Sequence, residues 1–214
     1  MTFDPVTVVL GFGVLLLSLT IHEAAHAWTA DRLGDPTARR LGRVSLNPIV
    51  HMDLFGTVIL PLLAAVSRLP LIGWAKPVPV DTRNLGNPRR DFMLVAAAGP
   101  ISNLLQAAVA AIILRIALAA GGGTIAAGTT AGTVVEVLFL AVQINLLLAF
   151  FNLIPVPPLD GGNVLLGLLP PRMAHGYAQL RQYGFLVLYA LLLTGVASAI
   201  IMPPTNLFMR LFLQ

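Results

Sequence analysis

The sequence contains no cysteine. That excludes disulfides, thiolate nucleophiles and thiolate metal ligands. Charge is scarce as well. Only 10% of the 214 residues are Asp, Glu, Lys or Arg, against about a quarter in soluble domains. Aromatic residues make up 7%, and there are 4 histidines. What fills the space is apolar: 57% of the chain is hydrophobic. A chain of this length cannot cover so much apolar surface with itself. The composition therefore excludes an ordinary water-soluble fold and implies an integral membrane protein. The net charge of +4 is modest. In this setting it reads as a topology signal, and no nucleic-acid partner is expected.

Four apolar stretches, at about 6–30, 92–118, 133–155 and 184–202, are each near the ~20 residues needed to cross ~30 Å of hydrocarbon. A fifth, 54–67, is short and interrupted by Pro61, which suits a re-entrant or interfacial segment. The first stretch has no basic leader and no small-residue cleavage pattern, so it is expected to remain as a span. Arg32, Arg39, Arg40 and Arg43 follow the first span, and Lys76, Arg83, Arg89 and Arg90 precede the second. The Gly-rich connection 119–132 carries no charge. The positive-inside rule then places the basic groups in the cytoplasm and the N-terminus outside, provided 54–67 dips in and returns. "RLGRVSLNPIV" and "GWAKPVPVD" combine β-branched residues with turn residues, and are expected to form short strands at the membrane surface. The fold class is thus an all-α polytopic membrane protein, with about four full spans, a re-entrant segment and short surface strands. One domain covers 1–214.

Inside the first span lies "HEAAH". His22 and His26 are i, i+4, so both imidazoles project from one helix face as a pincer for Zn²⁺. Glu23 beside them can take a proton from an attacking water. Ionisable groups within a span are costly and point to function. A catalytic zinc needs a third protein ligand and an open position. Of the nine acidic residues, most lie in loops or at span ends, and Glu136 lies at the far side. Asp160, in "NLIPVPPLDGG" after the third span, remains. The first and third spans run the same way in this topology, so Asp160 falls near the depth of His22 and His26. Pro155, Pro157 and Pro158 prevent a regular helix before it, and Gly161 and Gly162 let the chain turn tightly.

"HEAAH", "AGPISN" and "NLIPVPPLDGG" together resemble the site-2 protease family of intramembrane zinc metalloproteases. The stretches "LGRVSLNPIVHMDLFGT" and "GWAKPVPVD" look like its compact prokaryotic branch. The resemblance implies His22, His26 and Asp160 as ligands of one Zn²⁺ and Glu23 as catalytic base, in a core of about 6–170 followed by a C-terminal span. It implies that Asn152 helps to hold the substrate or its oxyanion. An interhelical hydrogen bond is the alternative role for Asn152. His51 either lies in an interfacial loop or contacts substrate or stabilises the oxyanion near the metal. Asn103 is expected to join spans structurally. The implied partner is a membrane-spanning protein substrate within the bilayer, and the implied site is a prokaryotic plasma membrane with the active site facing the cytoplasm. The rival reading is a metal transporter or other non-proteolytic metal-binding membrane protein. The sequence does not state an oligomeric order.

Overall fold

The computed structural model describes residues 5–59, 63, 75–121 and 128–214. Helix α1 (Pro5–Arg32) is a nearly unbroken apolar run. It stops at Gly34, whose φ of +108° belongs to the left-handed region that closes helices. The Asp35 amide turns back to the Ala30 carbonyl at 2.9 Å. Two short turns follow, α2 (Thr37–Arg40) and α3 (Pro48–His51), then a π-helical turn at Leu54–Ile59. Helix α4 (Pro88–Ala120) starts with Asn87 accepting from the Arg90 amide and Pro88 in the first turn, where its missing N–H costs nothing. Helix α5 (Thr130–Asn152) is capped by Thr129, which accepts from the Gly132 amide. Then come α6 (Asp160–Leu168), α7 (Pro171–Gln179), α8 (Gly184–Leu193) and α9 (Val196–Leu213).

Among the described residues, four helices are long and apolar enough to cross a bilayer: Val6–Arg32, Pro88–Ala120, Thr130–Asn152 and Val196–Leu213. Their outward faces are apolar. Leu105, Ile112 and Ile116 of α4 are 63%, 58% and 63% exposed along one side, a surface that belongs in lipid. Their inward faces are small. Ala107, Ala110 and Ala111 of α4 pack on Val142 and Leu146 of α5, with Phe208 and Phe212 of α9 closing the cluster. With no hydrophobic drive between helices in lipid, such small side chains allow the close approach on which packing relies.

Helix directions follow from individual bonds. Thr7 of α1 donates to Glu136 of α5 at 2.9 Å, and farther along both chains Asn145 meets Ser18. The two helices are therefore parallel. Helix α4 runs opposite, since its Asn103 meets His22 and its earlier Val95 meets His26. The end of α1 and the start of α4 accordingly lie together, and the Gly86 amide bonds the Leu33 carbonyl there at 3.4 Å.

Three expectations are revised or left open. Neither surface stretch is a strand. In the first, Asn47 caps α3 by accepting from the Ile49 amide, and Pro48 suits a helix start. In the second, residues 75–81 are irregular, and Pro77 and Pro79 lack the amides a ladder requires. Among the described residues, one backbone bond joins the neighbourhoods of the two stretches, from the Lys76 amide to the His51 carbonyl at 2.9 Å, with Arg43 donating to the Lys76 and Pro77 carbonyls. The last span is not continuous over 184–202. It breaks at Gly195, φ +76°, and the helix long and apolar enough to span is α9, displaced toward the C-terminus. Pro203 and Pro204 sit inside α9 without ending it. Most of 60–74, and with it the course of the re-entrant segment, lies outside the described residues.

Asp35 ties the connector together. It is fully buried and accepts from the Asp81 amide at 2.7 Å, Asn84 at 2.9 Å and both the amide and hydroxyl of Thr37. Burial pushes its carboxyl up, but these donors outweigh it and hold the group below its ordinary 3.8. Because the folded value is depressed, its stabilisation is complete above pH 3.8 and is lost as the pH falls below it. Asp35→Ala leaves several donors unpaired and should cost about 1–3 kcal/mol. A lowered melting midpoint in detergent at neutral pH, with the gap from wild type narrowing in strong acid, is the expected result.

Candidate metal centre

His22 and His26 stand one turn apart on α1, and both are buried. Their Nε2 atoms lie 3.1 Å from each other. The first residue of α6 completes the group: Asp160 Oδ2 is 3.1 Å from His22 Nε2 and 3.4 Å from His26 Nε2. The prolines of 155–158 end α5 and fold the chain back so that α6 begins beside α1. The return is tight. A Cβ on Gly161 would lie 2.3 Å from the Leu153 carbonyl oxygen, and one on Gly162 would lie 2.7 Å from the Pro157 nitrogen.

The other ring nitrogens decide what faces the centre. His26 Nδ1 lies 2.7 Å from the Val95 carbonyl. A carbonyl can only accept, so Nδ1 carries the proton and Nε2 presents a lone pair. His22 Nδ1 lies 2.6 Å from Asn103 Oδ1. Asp160 Oδ2 is buried and has no hydrogen-bond partner. Three lone-pair donors thus converge, which is unfavourable unless a cation lies among them. The edges of a tetrahedron with metal–ligand bonds of about 2.0–2.2 Å are about 3.3–3.6 Å, close to the separations observed. Two imidazoles and one carboxylate with an open fourth position is also a donor set that suits a catalytic zinc. The residues fit the ion.

Helix α4 passes close because it carries Gly99 there. A Cβ at that position would lie 2.4 Å from His26 Nε2 and 2.5 Å from His22 Nε2. Asn103, expected to join spans, does so and also touches the site, while Asn145 carries no expectation from the sequence. The available signal was an amide within an apolar run, which needs a partner. Glu23 follows His22 on the same helix and is half-buried. Asn152 donates to the Leu148 carbonyl of its own helix at 3.0 Å. His51 is buried, with Nε2 2.8 Å from the Ser45 carbonyl and Nδ1 without a partner. Glu136, at the far end of the bundle, accepts from Thr7.

A polytopic helical protein with a buried His–His–Asp group of this kind belongs to the class of membrane metalloenzymes. Comparison with known proteins narrows the class. The model for Peptidase family M50 matches residues 10–195, and the chain belongs to this family, the site-2 protease family of metalloproteases. It is 40% identical over 192 residues to the Bacillus subtilis protein named "Putative zinc metalloprotease YwhC", covering 90% of this chain and 84% of that one. It is 32% identical over 180 residues to "Putative zinc metalloprotease Rip2" of Mycolicibacterium smegmatis, covering 84% of this chain and 64% of that one. No solved structure matches.

Gly99→Ala should disturb the centre without unfolding the bundle. The added carbon must push the imidazoles apart, and a misplacement of about 1 Å at a reacting centre costs on the order of 10²-fold in rate. Such a loss of proteolysis with a near-normal melting profile is expected. Unchanged activity would show that the imidazoles lie elsewhere in the working enzyme.

Proposed function

We propose that this metalloprotease holds one Zn²⁺ on His22, His26 and Asp160 and hydrolyses peptide bonds of membrane-spanning substrate helices. The observation that carries the reading is the convergence of three lone-pair donors, 3.1–3.4 Å apart, between helices whose outer faces suit lipid. Bound zinc supplies a Lewis acid that polarises the scissile carbonyl and acidifies water.

The chain's own residues do the rest. The Val95 carbonyl and Asn103 hold the two imidazoles in orientation, and Asp160 adds the negative charge that two neutral imidazoles lack. Glu23 is the general base. It takes the proton from the attacking water and delivers it to the leaving amine. A substrate helix hides its carbonyls in its own hydrogen bonds, so it unwinds locally before attack. Asn152 retains one amide N–H beyond the one given to Leu148 and is assigned to the substrate or its oxyanion. The proton of a neutral His51 goes to the Ser45 carbonyl, which leaves Nδ1 as an acceptor; His51 is assigned to substrate contact rather than to donation.

Zinc content of purified variants tests the ligands. His22→Ala, His26→Ala and Asp160→Ala should each lose the ion, whereas Glu23→Gln should keep it and lose about 10²–10⁴ in turnover. A Glu23→Gln protein that cleaves like wild type would refute the base. It would also favour a transporter or binding protein if wild type itself showed no cleavage.

The orientation proposed is an N-terminus outside, a centre facing the cytoplasm of a prokaryotic cell, and a segment 54–67 that enters and leaves on one face. Arg39, Arg40 and Arg43 before that segment, and Lys76, Arg83, Arg89 and Arg90 after it, support this arrangement. Single cysteines at Ser45, Thr82 and Thr129 report on it, since the chain has none of its own. A membrane-impermeant thiol reagent outside intact cells should label only the Thr129 position. Labelling at Thr82 and not at Thr129 would invert the orientation.

A further inference from the structure

Behind His22 lies a chain of buried polar side chains, of which the proposed chemistry uses only the first, Asn103. Asn103 of α4 presents Oδ1 to His22 Nδ1 at 2.6 Å and donates from Nδ2 to Asn145 Oδ1 of α5 at 2.8 Å. Asn145 in turn donates from Nδ2 to the Ala141 carbonyl and to Ser18 Oγ of α1, each at 2.9 Å. Ser18 is one helical turn before His22, so the chain starts and ends on α1. Its four side chains are between 0% and 3% exposed.

The polarity of this chain is determined at one point. The Ala141 carbonyl has no proton and can only accept. Asn145 must therefore turn its NH₂ toward it, which leaves Asn145 Oδ1 facing Asn103. Asn103 must then turn its own NH₂ toward that oxygen, so its Oδ1 faces His22. An oxygen there requires the proton on His22 Nδ1 and leaves the lone pair on Nε2. Reversing either amide sets oxygen against oxygen, and lipid offers no water to relieve it. His26 needs no such device, because a backbone carbonyl already fixes its tautomer.

We propose that Asn103 and Asn145 are positioning residues of the metal centre: a one-way amide relay, anchored on the Ala141 carbonyl, that holds His22 as its Nδ1–H tautomer with Nε2 directed at the metal. The relay rests on the reading of His22 as a ligand. Groups that orient a ligating histidine in this way typically contribute 10–100-fold in metal affinity. A relay and simple interhelical glue make different demands. Glue needs both faces of Asn103 satisfied. The relay needs, above all, an acceptor against His22 Nδ1.

Zinc affinity of the full-length protein in detergent, measured by competition with a chromophoric chelator, separates the two. Asn103→Leu removes the acceptor and should weaken binding about 10–100-fold. Asn103→Asp keeps an oxygen toward His22 and should bind close to wild type, even if it melts lower. Asn145→Leu releases Asn103 to reverse and should weaken binding in the same direction. Wild-type affinity in Asn103→Leu overturns the relay, as does an Asn103→Asp protein as weak as Asn103→Leu. Should Asn103→Leu fail to fold, Asn145→Leu carries the comparison, and wild-type affinity there is equally fatal. His22→Ala is measured alongside. If it keeps zinc, the ligand assignment itself fails; if it loses zinc while the Asn variants do not, only the relay fails.

Discussion

Two imidazole nitrogens and a carboxylate oxygen, all with lone pairs directed inward and none more than 3.4 Å from the others, repel one another in a setting with little water. The arrangement persists only because the surrounding helices leave these groups no other place to turn. His26 is held from behind by a backbone carbonyl and His22 by an amide. Asp160 is held by a return turn so tight that Gly161 and Gly162 have no room for a side chain. The repulsion is the price of a preformed site. It is relieved when a cation enters, so the free energy of metal binding and that of helix association are linked.

Helix α4 is the element that makes this possible. Its small residues allow α1 and α5 to approach it: alanines at 107, 110 and 111 along one half, and Gly99 opposite the histidines. The same helix supplies the Val95 carbonyl and Asn103. A single face therefore sets both the separation of the helices and the orientation of the two imidazoles. A side chain at position 99 would meet the imidazoles at once, since its Cβ would lie 2.4 Å from His26 Nε2.

The local part of the site was legible in the sequence. His22, Glu23 and His26 lie within one turn of one helix, and so few acids exist that Asp160 could be reached by elimination. Spans α1, α4 and α5 were legible because a long apolar run without charge has few alternatives. What failed was whatever depends on backbone angles or on tertiary meeting. The break at Gly195 is invisible to hydropathy, since Leu, Thr, Gly and Val read as one apolar run whether φ is positive or negative. The alternation in 40–50 suggested a strand, yet Asn47–Pro48 is also a helix start, and the side-chain cap to Ile49 decided it. Gly99, Asn103 and Asn145 acquire their roles only when three helices, distant in sequence, come together.

The depth of the centre follows from the same geometry. His26 lies six residues before Arg32, the end of α1, or about 9 Å along the axis. At the opposite end of the bundle Thr7 and Glu136 pair, and beyond the Asn103–Asn145 bond the buried α4–α5 contact is the alanine, valine and leucine cluster. The polar cluster is thus displaced toward one end rather than centred. A shorter polar path suffices to bring water to it, and the apolar half of the bundle seals the other side. On the function proposed, a substrate helix need not be opened along its whole length. A carbonyl in a terminal turn, where helix ends already fray, costs least to free.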